Sequence, residues 1–185
     1  METIWWIALA IVGIIVLIVL ICIYYINRIR VLSNRIDNAW AQIDVQLKKR
    51  ADLVPNLVET VRGYMKHEQK AIDMVTKARE RMLSAGDKKE KIAAGAGLAA
   101  ALKTIFALAE NYPNLKASDN FRMLQEELDG IESKVAYARQ FYNDSVLSYN
   151  NLITTIPGRW FAGGRAQHPY FEIAEAERAP VKVSF

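Results

Sequence analysis

Two hydrophobic patterns divide the chain. From Ile4 to Ile26 no residue is charged, and fifteen positions are Ile, Leu or Val. A hydrocarbon core of about 30 Å needs about 20 such residues in a helix. Trp5 and Trp6 stand at one end of the run and Tyr24 and Tyr25 at the other, where aromatic side chains favour the lipid–water boundary. The run is too long for the core of a cleaved secretory signal and lacks its basic start. Ile21 before Cys22 does not suit a lipid-attachment site. The pattern predicts a stable membrane anchor, with Cys22 as a small apolar residue inside it.

After residue 26 the period changes. Ile29, Leu32, Ile36, Trp40, Ile43, Leu47 and Val54 recur at intervals close to three and four, the helical spacing. Leu57, Val61, Tyr64, Ile72, Val75 and Met82 continue it. Ser84-Ala85-Gly86-Asp87 breaks the pattern, with Gly86 as a C′ residue and Asp87 as the next N-cap. A third helix is expected from about Lys88 to Asn111. Tyr112-Pro113-Asn114 stops it, and Ser118 or Asp119 caps a fourth helix that ends before Pro157-Gly158.

Pro55 interrupts an apolar phase that otherwise runs from Leu47 to Val61. A turn over Ala51–Asn56, with Pro55 opening helix two, is the preferred expectation. It yields four helices of about 28, 28, 24 and 39 residues, suited to an antiparallel bundle. The alternative is three long helices with a kink at Pro55. The expected organisation is therefore all-α: an anchor over 1–26, a four-helix bundle over 27–156 and an extended C-terminal tail over 157–185. In that tail Val181, Val183 and Phe185 alternate as an edge-pairing peptide does.

Charge adds orientation. Residues 27–185 hold all 24 basic residues and 19 of the 20 acidic ones, a net charge of +5. This mild excess does not point to nucleic acid. Arg28, Arg30 and Arg35 follow the apolar run closely, and no Lys or Arg precedes it. The positive-inside rule then places the N-terminus outside and the body in the cytoplasm. One Cys excludes an intrachain disulfide framework, and two distant His residues do not suit a metal site. No metal, cofactor or catalysis is expected.

Four groups of residues invite a role. Ala93, Gly97 and Ala101 lie on one face of helix three and would admit a close neighbour, inside the bundle or in an oligomer. Arg50, Asp52, Asn56 and Glu59 surround Pro55 and would form a partner tip if the chain turns there, with Glu59 at the positive start of helix two. Tyr142-Asn143 and Tyr149-Asn150 are seven apart and share a face, as residues that specify bundle register do. Arg159, Trp160, Phe161 and Arg165 combine aromatic and basic side chains, the mixture that suits contact with membrane lipid. A phosphorelay role for His67 is a remote alternative, since no kinase or nucleotide motif accompanies it.

The run Trp40-Ala41-Gln42-Ile43-Asp44-Val45-Gln46-Leu47 through Arg50-Ala51-Asp52-Leu53-Val54-Pro55-Asn56-Leu57 resembles the LemA family. So do Gly63-Tyr64, His67-Glu68, Tyr112-Pro113, Tyr142-Asn143, Tyr149-Asn150, Pro157-Gly158 and Pro169-Tyr170-Phe171-Glu172. The resemblance implies a bacterial inner-membrane protein with a cytoplasmic helical body. The family's genome context makes a membrane metalloprotease, or another inner-membrane protein, a candidate partner, and the resemblance supplies no catalytic mechanism. The reading is a membrane-anchored scaffold or adaptor that works through self-association and protein or lipid contacts. Its rival is a monomeric adaptor that recruits a protease or signalling partner.

Overall fold

The computed structural model describes residues 1–172. Among them the secondary structure is entirely helical. Helix α1 spans Glu2–Arg62, α2 Gln69–Ser84, α3 Lys88–Ala109, the short α4 Pro113–Lys116 and α5 Asp119–Thr154, and a 3-10 turn follows at Gly158–Phe161. The chain forms two compact units. One holds residues 1–39 and 141–170, and the other holds 40–140 with 171–172 of the described chain.

The chain does not turn over Ala51–Asn56, which corrects the four-helix expectation. Helix α1 passes through Pro55 without a break. A proline inside a helix withdraws the donor that residue i−4 expects, here for the carbonyl of Ala51, and its ring crowds that carbonyl. Arg79 of α2 supplies the substitute, its Nε donating to the Ala51 oxygen at 3.0 Å. The stripe from Trp40 to Leu47 is covered as well. Lys91 of α3 pairs with Asp44 at 2.6 Å, and Lys88 lies over the Trp40 ring at 5.5 Å. Gly95 of α3 lets that helix approach Leu47, whose Cδ2 would lie 2.9 Å from an added Cβ.

The expected second helix is split. Residues 63–68 bend between α1 and α2, and Met65 turns into the core at 1% exposure. Gly86 is not a left-handed C′ residue, since the positive-φ glycines are Gly163 and Gly164. Asp87 does cap α3, accepting from Glu90 N at 2.7 Å, while the Glu90 carboxylate accepts from Gly86 N at 2.9 Å. That reciprocal pair closes the helix start. Pro113 opens α4 at its first position. In this unit Ile43, Leu57, Ile72, Leu98 and Leu115 are fully enclosed.

In the other unit Ile29, Leu32, Ile36, Val146, Tyr149 and Ile153 are buried. Arg35 lies over the Phe141 ring at 4.9 Å. The chain after α5 is bonded back to that helix at His168 and Pro169. Residues 173–185, including Val181, Val183 and Phe185, lie outside the described residues.

Candidate functional site

Three of the four groups change character once they are placed. The residues around Pro55 do not form a tip, because no turn exists there. Arg50 is 4% exposed and its guanidinium pairs with the Glu132 carboxylate of α5. Asp52 is exposed and pairs with Lys48 one turn earlier at 3.3 Å. Asn56 is exposed, and its carbonyl accepts from the Thr60 hydroxyl at 2.8 Å. Glu59 has no helix start to favour and faces a shallow groove with Thr60, Tyr64, Glu126 and Glu127.

Tyr142, Tyr149 and Asn150 grip the returning chain. Asn150 holds the backbone of His168 from both sides, donating to its carbonyl at 3.0 Å and accepting from its N–H at 2.9 Å. The Tyr149 ring meets the His168 ring edge-on at 4.8 Å. Tyr142 is 4% exposed and donates to the Pro169 carbonyl at 3.2 Å. Burial, and then the Asp37 charge, hold its phenol above the ordinary tyrosine range. Asn143 is half-buried. The heptad spacing was legible in the sequence. The partner was not, because it lies about twenty residues downstream in a segment without periodicity. In the other unit Arg139 lies over the Phe171 ring at 5.4 Å.

His67 sits exposed in the bend after α1, not on a helix. Its neighbour Glu68 accepts from the Tyr112 hydroxyl at 3.3 Å. Desolvation of Tyr112, followed by the Glu68 charge, raises the phenol's pKa. Among the described residues no group of three His, Cys, Asp or Glu is placed to hold a metal ion.

Two surfaces stand out. The first is at the end of the apolar run. Phe161 stacks on Tyr25, the rings 5.0 Å apart and nearly parallel at 8°. Trp160, Tyr24, Arg28, Arg30 and Arg159, which flank the two stacked residues in sequence, are exposed, and Arg165 Nη1 donates to the Ala162 carbonyl at 2.9 Å. Trp5 and Trp6 are exposed at the far end of the run. A helix containing residues 4–26 is long and apolar enough to cross a membrane. Helix α3 meets the same criterion, with a third of its apolar window buried in the body.

The second surface is a groove of about 990 Å³ between α2 and α3. Ala93, Gly97, Ala100 and Thr104 form its floor, and Lys70, Lys77 and Arg81 stand on the α2 side. Ala93 and Gly97 are exposed and Ala101 is buried, so the expected small-residue face straddles the edge of the core. An added Cβ at Gly97 would meet nothing within 4 Å.

The family model described as the LemA family matches residues 39–185. Two curated relatives are the magnetosome proteins MamQ 1 and MamQ 2 of Paramagnetospirillum magneticum. Each is 29% identical over 98 residues, 52% of this chain and 36% of theirs. The magnetosome protein MamQ of Magnetospirillum gryphiswaldense matches with the same identity and coverage. The chain thus spans little more than a third of the length of these relatives.

Proposed function

The chain belongs to the LemA family, and on that premise we propose that it is a self-associating helical scaffold anchored in the bacterial inner membrane. Residues 4–26 cross the bilayer with the N-terminus outside, as the arginines at 28, 30 and 35 favour. The body works in the cytoplasm through protein and lipid contacts and performs no catalysis. The shared stretch is 36% of each MamQ chain, so the magnetosome role in their name stays with them.

The α2–α3 groove carries this reading. Its occupant is α5 of a second copy. Met123, Glu126, Gly130, Ser133 and Tyr137 recur at intervals of three and four along one face of α5, whose first turns border the groove that Glu59 faces. Met123 and Tyr137 are 67% and 75% exposed. They lie about 21 Å apart along the axis, and the groove floor from Ala93 to Thr104 is about 16 Å long. A ridge with small residues at its centre and large ones at both ends suits such a floor. Charge favours the same pairing. Helices α2 and α3 carry eight basic and three acidic residues, while α5 carries three basic and six acidic. Docking groove on groove would instead oppose Lys70, Lys77 and Arg81 of both copies. A groove-to-ridge contact is heterologous and can close a ring or extend a filament.

The test is the native mass of the full chain in mild detergent or nanodiscs. We expect a defined assembly, its loss in Lys77→Glu/Arg81→Glu, and its return when that variant is mixed with Glu126→Lys/Glu127→Lys. A monomeric wild-type chain refutes self-association. It would leave the groove to a helix of another protein, as in an adaptor that recruits a membrane protease.

A further inference from the structure

We infer that the loop over residues 156–165 is a second membrane contact, seated among lipid headgroups beside the end of the apolar helix. This rests on the reading that residues 4–26 cross a bilayer. The loop and the end of that run meet within one compact unit, because Phe161 stacks on Tyr25 at 5.0 Å. Tyr25 is the penultimate residue of the uncharged run, so the stack marks the level at which the hydrocarbon ends.

What surrounds the stack is unusual for a surface facing water. Trp160 is 71% exposed, Ile156 68% and Tyr24 61%. Indole and phenol rings find both an apolar bed and hydrogen-bond partners at the bilayer boundary. The charges are of one sign. Arg28, Arg30, Arg159 and Arg165 belong to this end of the unit, and no acidic residue occurs from Thr3 to Ile36 or from Ser145 to Phe171. A solvated surface ordinarily mixes both signs. Exposed aromatics among unopposed arginines match the anionic headgroups of a cytoplasmic leaflet.

The loop is also built to present these side chains. A Cβ at Gly158 would run into the Leu152 carbonyl, so the close approach there requires glycine. Gly163 and Gly164 take φ of 57° and 74°, and Arg165 ties back to Ala162. Asn150 then clamps His168. Trp160 is therefore offered from a shaped turn, which lowers the ordering cost of inserting it. A single span leaves the unit free to tilt against the bilayer, and a second contact beside the span restricts that tilt.

The experiment uses the full chain in phosphatidylcholine–phosphatidylglycerol vesicles whose phosphatidylcholine is brominated either high on the acyl chain or near its end. Trp160 is read as the difference between the wild type and Trp160→Phe. That substitution removes little packing, because the indole is largely exposed. We expect the Trp160 emission to shift to the blue on reconstitution, to lose most of its intensity to the shallow bromines, and to lose far less to the deep ones. If Trp5 and Trp6 are quenched and Trp160 is not, the loop inference is overturned and the span stands. If the chain fails to float with the vesicles, the span reading is overturned and the inference falls with it.

Discussion

Replacing Arg79 by Met should destabilise the body far more when residue 55 is proline than when it is alanine. Arg79 donates to the carbonyl of Ala51, the residue four before Pro55, and Ala51 is fully buried. Without the guanidinium that carbonyl has neither its helical donor nor the substitute. An unsatisfied buried acceptor costs about 1–3 kcal/mol, so about 2 kcal/mol is expected. For a chain of this length that lowers the unfolding midpoint by about 4–8 °C. Pro55→Ala restores an N–H that can bond Ala51 directly and relieves a proline that costs about 3 kcal/mol in a free helix interior. In the Pro55→Ala background Arg79→Met should cost only its lost packing, about 0.5 kcal/mol. The coupling is then about 1.5 kcal/mol, well above the few tenths that independent sites show. The assay is a four-member cycle of the full chain in detergent, unfolded thermally and followed by circular dichroism. Equal losses from Arg79→Met in both backgrounds would refute the reasoning, because the arginine would then be acting through something other than the proline's missing donor.

Two further outcomes follow from the geometry. Gly97→Ala should raise stability by about 0.5–1 kcal/mol, since the added methyl meets open space and the helix gains propensity. Gly95→Ala forces Leu47 to move and should cancel that gain or reverse it by about 1 kcal/mol; equal effects in chemical denaturation would show that the Gly95 approach is not tight. Because Tyr142 is held above the ordinary tyrosine range, the fold binds its proton more tightly than the unfolded chain does. That contribution is complete below about pH 10 and is lost as pH rises through the folded-state value. Tyr142→Phe should abolish this alkaline loss, and an unchanged alkaline unfolding profile in the variant would contradict the assignment.

Much of the architecture was legible in the chain because it depends on neighbours in sequence. The uncharged run, the start of α3 at Asp87 and the extent of α5 follow from hydropathy, capping and period, all set within a turn or two of helix. Pro55 misled for the same reason. Local rules say that proline removes a donor, and they cannot say that an arginine from the next helix will replace it. Nor can period alone decide which of two glycine faces on α3 turns inward; Gly95 meets Leu47 and Gly97 faces the groove only because α1 packs where it does. The burial of Arg50 against Glu132 and the clamp of Asn150 on His168 join residues 82 and 18 apart. By itself, the sequence determined that the chain is helical, where α3 and α5 begin, and which end is apolar, since those preferences are properties of short stretches. Only the tertiary structure decided how long the first helix runs and which side chains meet the returning segment. Those outcomes depend on buried donors and acceptors finding each other across the fold.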